Sequence, residues 1–245
     1  MAEVRPREVV RTAIRTKWLL RRRPDAVSVF GIEVHLSEPW ATDLVRNAMY
    51  RSIYEDVELH ILREKVRPSD RVLEVGSGLG VVTTALAKIV GDDALKSYEA
   101  NPDLIGVARS TATRNDQRPA FVNAVLGDTI GTATFYVHEH FWTSSLAPTP
   151  GARSVEVPAL SFDEELRAFA PSVLVLDIEG GEVDLLTGRD LPDGVRALCI
   201  ETHVGVVGRE PTQRMLTDLV RQGFVLDLMT SREGVVFLDR EVRES

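Results

Sequence analysis

Cysteine is nearly missing from this chain: Cys199 stands alone, so no internal disulfide can form. It lies in the largely apolar run 195–200, where a free thiol reads as a small buried core residue. Positive charge is also in deficit. Lys and Arg total 29 against 37 Asp and Glu, a formal net charge of −8. A surface of that sign repels phosphate backbones and argues against a dedicated nucleic-acid binder. No apolar run approaches the ~20 residues that a membrane span needs. Trp18-Leu19-Leu20 is too short for a signal-peptide core and runs into Arg21-Arg22-Arg23. A cytoplasmic protein without a membrane span is expected. Internal repeats and low-complexity tracts are lacking as well.

One segment departs from the acidic balance. Arg5, Arg7, Arg11, Arg15, Lys17 and Arg21–Arg23 cluster at the N-terminus and read as a solvated helix face, with contact to an anionic partner as the alternative.

The hydrophobic pattern predicts a basic helix to about residue 25, a strand or hairpin arm over 28–36 and helical spacing over 39–65. Strands and helices then alternate: strands at 71–75, 94–99, 120–126, 131–138, 155–159, 173–178, 196–201, 224–229 and 235–239. Helices are expected at 81–90, 102–114, 162–169, 182–186 and 211–221. Repeated βα units imply a doubly wound, mostly parallel sheet, and the last two strands close it with an antiparallel hairpin. The expectation is an α/β, Rossmann-like sheet of seven strands of the class I methyltransferase type. Residues 1–66 would form an N-terminal helical cap, also a candidate homo-oligomer contact, and 67–245 the cofactor domain.

In such sheets ligands bind beyond the carboxyl ends of the strands. The first strand of the alternating region ends in Glu74 and Val75, followed by Gly76-Ser77-Gly78-Leu79-Gly80. Glycines there let the chain turn sharply and approach a ligand without a Cβ in between. A dinucleotide would place pyrophosphate on this turn. The Glu74 carboxylate just ahead of it would repel phosphate and suit an ammonium group, which favours S-adenosylmethionine over NAD. Glu99 ends the next strand, where an acidic residue can accept both ribose hydroxyl protons. Ala100 follows it, and Asn123 and Ala124 after the third strand are candidates to contact adenine.

Four patterns resemble the FkbM family of methyltransferases over about 54–239. They are Val72-Leu73-Glu74-Val75-Gly76-Ser77-Gly78-Leu79-Gly80, Tyr98-Glu99-Ala100-Asn101-Pro102, the stretch Asp177-Ile178-Glu179-Gly180-Gly181-Glu182 after an apolar strand, and Cys199-Ile200-Glu201-Thr202-His203. The third carries the family pattern Asp-x-Glu-Gly-x-Glu in full. Glu74 stands where aspartate is usual, Ser77 where alanine is common, and Ala100 where proline is frequent. The resemblance implies O-methylation of a hydroxyl, often on a sugar, glycoside or polyketide-type secondary metabolite.

Asp177 and Glu179 follow one central strand at i and i+2, and Glu201 and His203 repeat that spacing at the next. An alcohol needs a base as its oxygen is methylated, and His203 is the natural candidate, with Asp177 or Glu179 as carboxylate alternatives. Asp177 also belongs to the expected cofactor contacts. Asp177, Glu179 and Glu201 form a set able to hold Mg²⁺. His138 and His140, beside Phe141 and Trp142, are second-choice bases, and Ser144-Ser145-Leu146 is a further candidate lining of the cleft. Glu182 reads as a helix-start carboxylate. An NAD-dependent oxidoreductase is the alternative that Glu74 argues against. A non-catalytic cofactor-binding protein is the one that the intact Asp177, Glu179, Glu201 and His203 set argues against. Calorimetry should show binding of S-adenosylhomocysteine and none of NAD; the reverse would end the methyltransferase reading.

Overall fold

Strands buried on both faces form the centre of the protein, as the wholly apolar Val173–Leu176 and the largely apolar Ala197–Glu201 require. The structure, a computed structural model, describes residues 16–36, 40–138, 141–148 and 150–240. A helix over 16–22 (α1) leads to a hairpin, β1 (Ala26–Val29) and β2 (Ile32–His35). Helices α2 (Asp43–Arg51) and α3 (Asp56–Lys65) follow. The alternating region comprises β3 (Val72–Val75), α4 (Val81–Val90), β4 (Leu95–Glu99), α5 (Pro102–Arg114), β5 (Ala120–Asn123), β6 (Val125–Gly127), β7 (Gly131–Val137), β8 (Arg153–Ser161), α6 (Phe162–Phe169), β9 (Val173–Leu176), α7 (Gly181–Leu186) and β10 (Ala197–Glu201). The chain continues through α8 (Val204–Val207), α9 (Arg209–Arg221), β11 (Val225–Leu226) and β12 (Val235–Asp239).

Seven strands form the main sheet in the order β11-β12-β10-β9-β3-β4-β5. Neighbours from β10 to β5 are parallel, while β12 runs antiparallel to both β10 and β11. The expected antiparallel hairpin is thus present, although its first arm shortens to Val225–Leu226. Strand order reverses at β3, which lies between β9 and β4, so the cleft opens at its carboxyl end.

Three local differences from the sequence pattern have physical causes. The helical stretch 39–65 breaks at Ser52–Glu55, where Ser52 and Glu55 both adopt left-handed backbone, at φ 56° and φ 50°. The strand expected over 120–126 divides at Ala124. Its first part joins the main sheet and its second joins a separate three-stranded sheet, β6-β8-β7. That sheet was not foreseen, because strand pairing at long range leaves no local signature. The basic residues Arg5 to Arg15 lie outside the described residues.

Both faces of the sheet are packed. One core cluster joins Val29, Ile32, Met49 and Leu59 from the N-terminal elements to Val72, Leu86, Val175 and Phe237. The hydrophobic core is therefore continuous across residue 66. At the end opposite the cleft, Arg196 donates to both Asp70 oxygens, and Asp70 also accepts from the Arg67 amide and Ser172. Burial alone would raise the Asp70 carboxyl, but these bonds outweigh it and hold the pKa below the usual aspartate value.

Asp70→Ala would strand the buried Arg196 charge and should cost about 3 kcal/mol in denaturant unfolding. With a depressed folded pKa, the carboxylate's contribution is present above the unfolded value and is lost as pH falls through the folded one. The gap between wild type and Asp70→Asn should therefore close below about pH 4 in thermal melts.

Candidate active site

The parallel sheet aims four consecutive strand ends, those of β10, β9, β3 and β4, into one cleft. After β3 the chain turns through Gly76, Gly78 and Gly80, at φ 94°, 49° and 77°. The amides of Gly76 and Ser77 both donate to the Tyr98 carbonyl, which ties the turn to β4. A Cβ on Gly76 would lie 1.8 Å from the Asp177 carbonyl oxygen, so only glycine fits. A Cβ on Gly80 would meet the Ala108 backbone at 2.7 Å, which presses α4 against α5.

Glu74 is 1% exposed. Its Oε2 accepts from Thr83 and Ser97, while Oε1 has no partner and faces a narrow cavity shared with Glu55, Glu58, Asp177 and Glu201. Burial pushes its pKa up to about 7 against the opposing effect of the Ser97 and Thr83 bonds. Glu99 is buried too. Its Oε1 accepts from the Asn101 amide at 2.7 Å and its Oε2 from the Gly78 amide at 2.8 Å, so it straddles the turn and the start of α5. Burial raises Glu99 to about 7, with those amides pulling the other way. Asn123 donates from Nδ2 to the Glu99 and Ala100 carbonyls, and Ala124 is 2% exposed beside them. Ser77 is buried with its Oγ unpartnered. The turn residues, Glu99, Ala100, Asn123 and Ala124 thus share one wall.

The opposite wall holds His203, at the start of α8. Its Nδ1 is 3.1 Å from Glu182 Oε1, and its Nε2 is 3.3 Å from Glu179 Oε2 and 3.6 Å from Asp177 Oδ1. Glu182, 1% exposed, also accepts from the Ile178 and Gly180 amides, at 2.7 and 3.0 Å. Three bonds fix that carboxylate, and it in turn fixes the imidazole. Burial would lower the His203 pKa. The Glu182 bond and the charges of Glu182, Glu179 and Glu201 outweigh it and hold the ring above its ordinary value. Glu179 sits at φ 54° and is raised to about 7, first by burial and then by Glu201 and Glu182, against His203. Asp177 is raised by burial, then by Glu201 and Glu55; its Oδ1 makes no hydrogen bond.

The expected residues Asp177, Glu179 and His203 therefore converge. For a metal, one ligand atom each from Asp177, Glu182 and His203 lies within 4.8 Å of the others, a set that includes Glu182 rather than Glu179 or Glu201. Glu182 was read as a helix-start residue only, although its place in Asp-x-Glu-Gly-x-Glu marked it. Glu55, Glu58 and Tyr54 were missed because no motif surrounds them. His138 is half-buried and its amide donates to Ser144 Oγ; His140 lies outside the described residues.

A cationic ligand end fits this site. Glu55, Glu74 and Asp177 each carry a buried carboxylate oxygen without a partner, and the turn admits no Cβ at Gly76. Glycine turn, acidic second strand end and inserted antiparallel strand together define an S-adenosylmethionine-dependent methyltransferase of class I. The methyltransferase FkbM domain matches residues 74–226. The chain belongs to the FkbM methyltransferase family. No curated protein matches it. Solved structures similar in fold include CalS11, a TDP-rhamnose 3′-O-methyltransferase of calicheamicin biosynthesis, at 13% identity, covering 98% of this chain and 96% of that one, with a TM-score of 0.47. Aeropyrum pernix fibrillarin with bound S-adenosyl-L-methionine is similar at 13% identity, 74% and 73% coverage and a TM-score of 0.41. A TehB-like methyltransferase from Corynebacterium glutamicum is similar at 18% identity, 77% and 89% coverage and 0.40.

Gly76→Ala should destabilise the fold by more than about 1 kcal/mol and abolish cofactor binding. Glu99→Gln should weaken S-adenosylhomocysteine binding about 10-fold, measured by calorimetry, and lower the melting temperature, since an amide side chain cannot accept from both the Asn101 and the Gly78 N–H; unaltered affinity would remove Glu99 from the binding wall.

Proposed function

We propose that the protein transfers a methyl group to a hydroxyl oxygen of a small, phosphate-free acceptor, with His203 as the base. The observation that carries this reading is the Glu182–His203 pair. A carboxylate on Nδ1 selects the tautomer whose Nε2 carries the lone pair, and that nitrogen faces the cleft. The acidic walls support a neutral acceptor, since they would repel a phosphate as Glu74 does. The exposed Val204 and Val206, directly after His203, give the rim an apolar edge.

Bound S-adenosylmethionine supplies an electrophilic methyl group on its sulfonium. Glu74 and Asp177, with unpartnered oxygens on the cavity side, are assigned to its cationic end, and Glu99 to its ribose. Gly76, Ser77, Gly78 and Gly80 shape the turn beneath it, with Ala100, Asn123 and Ala124 on the adenine side. His203 Nε2 would take the acceptor's proton as the O–C bond forms and the methyl–sulfur bond breaks to leave S-adenosylhomocysteine, and Glu182 would stabilise the resulting imidazolium. Glu179, 3.3 Å from Nε2, is placed to pass that proton to solvent. Residues 1–66 are assigned as a cap over the cofactor domain, 67–245, of a cytoplasmic enzyme. Among the described residues no helix is long and apolar enough to cross a membrane.

His203→Ala should slow methyl transfer by about 10²-fold or more while cofactor binding survives, whereas Asp177→Asn should lower both turnover and cofactor affinity; unchanged turnover in both would remove them from the mechanism. A base acts when neutral, so the rate should rise with pH through a His203 pKa above the ordinary ~6.5. Glu182→Gln should move that rising limb to lower pH and reduce the plateau. Chelation should leave the rate unchanged. A loss restored by Mg²⁺ would favour a metal route through Asp177, Glu182 and His203.

A further inference from the structure

The family segment begins at Glu74, yet the cavity beside the glycine turn is walled partly by residues that precede it. The Ser52–Glu55 connection between α2 and α3 lies across the turn. A Cβ built on Gly78 would stand 3.5 Å from the Tyr54 hydroxyl and 3.7 Å from Glu55 Oε1. The Tyr54 hydroxyl is paired with the Glu55 carboxyl and with the Leu79 backbone. Glu55 Oε2 is buried and has no partner, as is Glu74 Oε1 across the cavity. Both ends of the connection hold non-glycine residues in left-handed backbone. Such strained residues persist where surrounding structure over-determines them, often at ligand sites.

The charge pattern points to the occupant. Glu55, Glu58, Glu74, Asp177 and Glu201 line the cavity, and no Lys, Arg or His is among its lining residues. Its space is about that of one water molecule, so it receives one end of a ligand and not the whole. The methionine end of S-adenosylmethionine carries an ammonium, a carboxylate and a sulfonium, and the acidic cavity suits its two cationic groups. The product, S-adenosylhomocysteine, has lost the sulfonium charge and keeps every other contact.

We propose that Tyr54 and Glu55, which precede the matched residues 74–226, complete the cofactor pocket, and that Glu55 favours the charged methyl donor over its uncharged-sulfur product. Product leaves this pocket more readily because its sulfur no longer answers Glu55. Burial and the neighbouring Glu58, Glu74 and Glu201 raise the Glu55 carboxyl in the free protein, and an arriving cation reverses that push. Tyr54 holds the carboxyl over Gly78. This inference rests on the cofactor of the family and not on the acceptor or on His203.

Calorimetry on the full chain, without acceptor, tests it. The affinities of S-adenosylmethionine and S-adenosylhomocysteine are measured for wild type, Glu55→Gln, Glu55→Asp and Tyr54→Phe, with the melting temperature of each ligand-free variant. Glu55→Gln should weaken the donor about 10-fold and the product less than about 3-fold, while the melting temperature holds or rises as a buried unpartnered carboxyl is removed. Glu55→Asp, which keeps the charge, should restore at least half of the lost discrimination. Tyr54→Phe should shift discrimination in the same direction as Glu55→Gln by a smaller factor. Equal weakening of both ligands, or none, would overturn the inference even if Glu55→Gln melts lower, because a merely structural role moves both ligands together. Wild-type protein that binds neither ligand would instead count against the cofactor assignment, and normal binding with no methyl transfer would count against the acceptor chemistry alone.

Discussion

Withdrawal of several carboxyl groups from water at one place is the constraint around which this fold is arranged. Glu55, Glu58, Glu74, Asp177 and Glu201 are brought to one cavity by α3, β3, β9 and β10 and the connections beside them. Burial and proximity raise Glu55, Glu58, Glu74 and Asp177 above ordinary carboxyl values. Such an arrangement opposes folding on its own terms, because carboxyls withdrawn from water need compensation. It is compensated by the rest of the molecule. Two hydroxyls hold Glu74, two amides hold Glu99, and two amides with an imidazole hold Glu182. Around these contacts the parallel strands are apolar on both faces, so the cost is borne by a large continuous core.

Each hydrogen bond that anchors a carboxyl also assigns it a task. Glu99 and Glu182 have both oxygens engaged by backbone amides, and they act as fixed points that define where neighbouring groups stand. Glu74, Glu55 and Asp177 each retain an oxygen that no protein group satisfies. That division separates carboxyls fixed on both oxygens by the backbone from carboxyls with one oxygen still open. His203 belongs to both sets: one nitrogen is committed to Glu182 and the other faces Asp177 and Glu179.

Much of the fold and of the site was legible from residue order. The βα alternation, the glycine turn, the acid at the end of β4 and the pairs after β9 and β10 are local patterns, since adjacent strands in a parallel sheet bring their following loops together. What stayed hidden depends on long-range packing. Ala124 gives no sign that the chain changes sheets there. Glu33 and Asn115 are joined by hydrogen bonds although they are 82 residues apart. Tyr54 and Glu55 lie in an apparently continuous helical stretch, and only the folded chain shows that it breaks and turns across Gly78. Glu182 was visible, but its position at a helix start offered a sufficient local explanation and hid its bond to His203.

The tight contact of Gly76 with the Asp177 carbonyl has a mechanical consequence. Without room for a methyl group between them, the turn after β3 and the segment after β9 cannot slide past each other. That close approach, together with the Asp177 amide bonded to the Val75 carbonyl, fixes how far apart the two walls of the cleft stand.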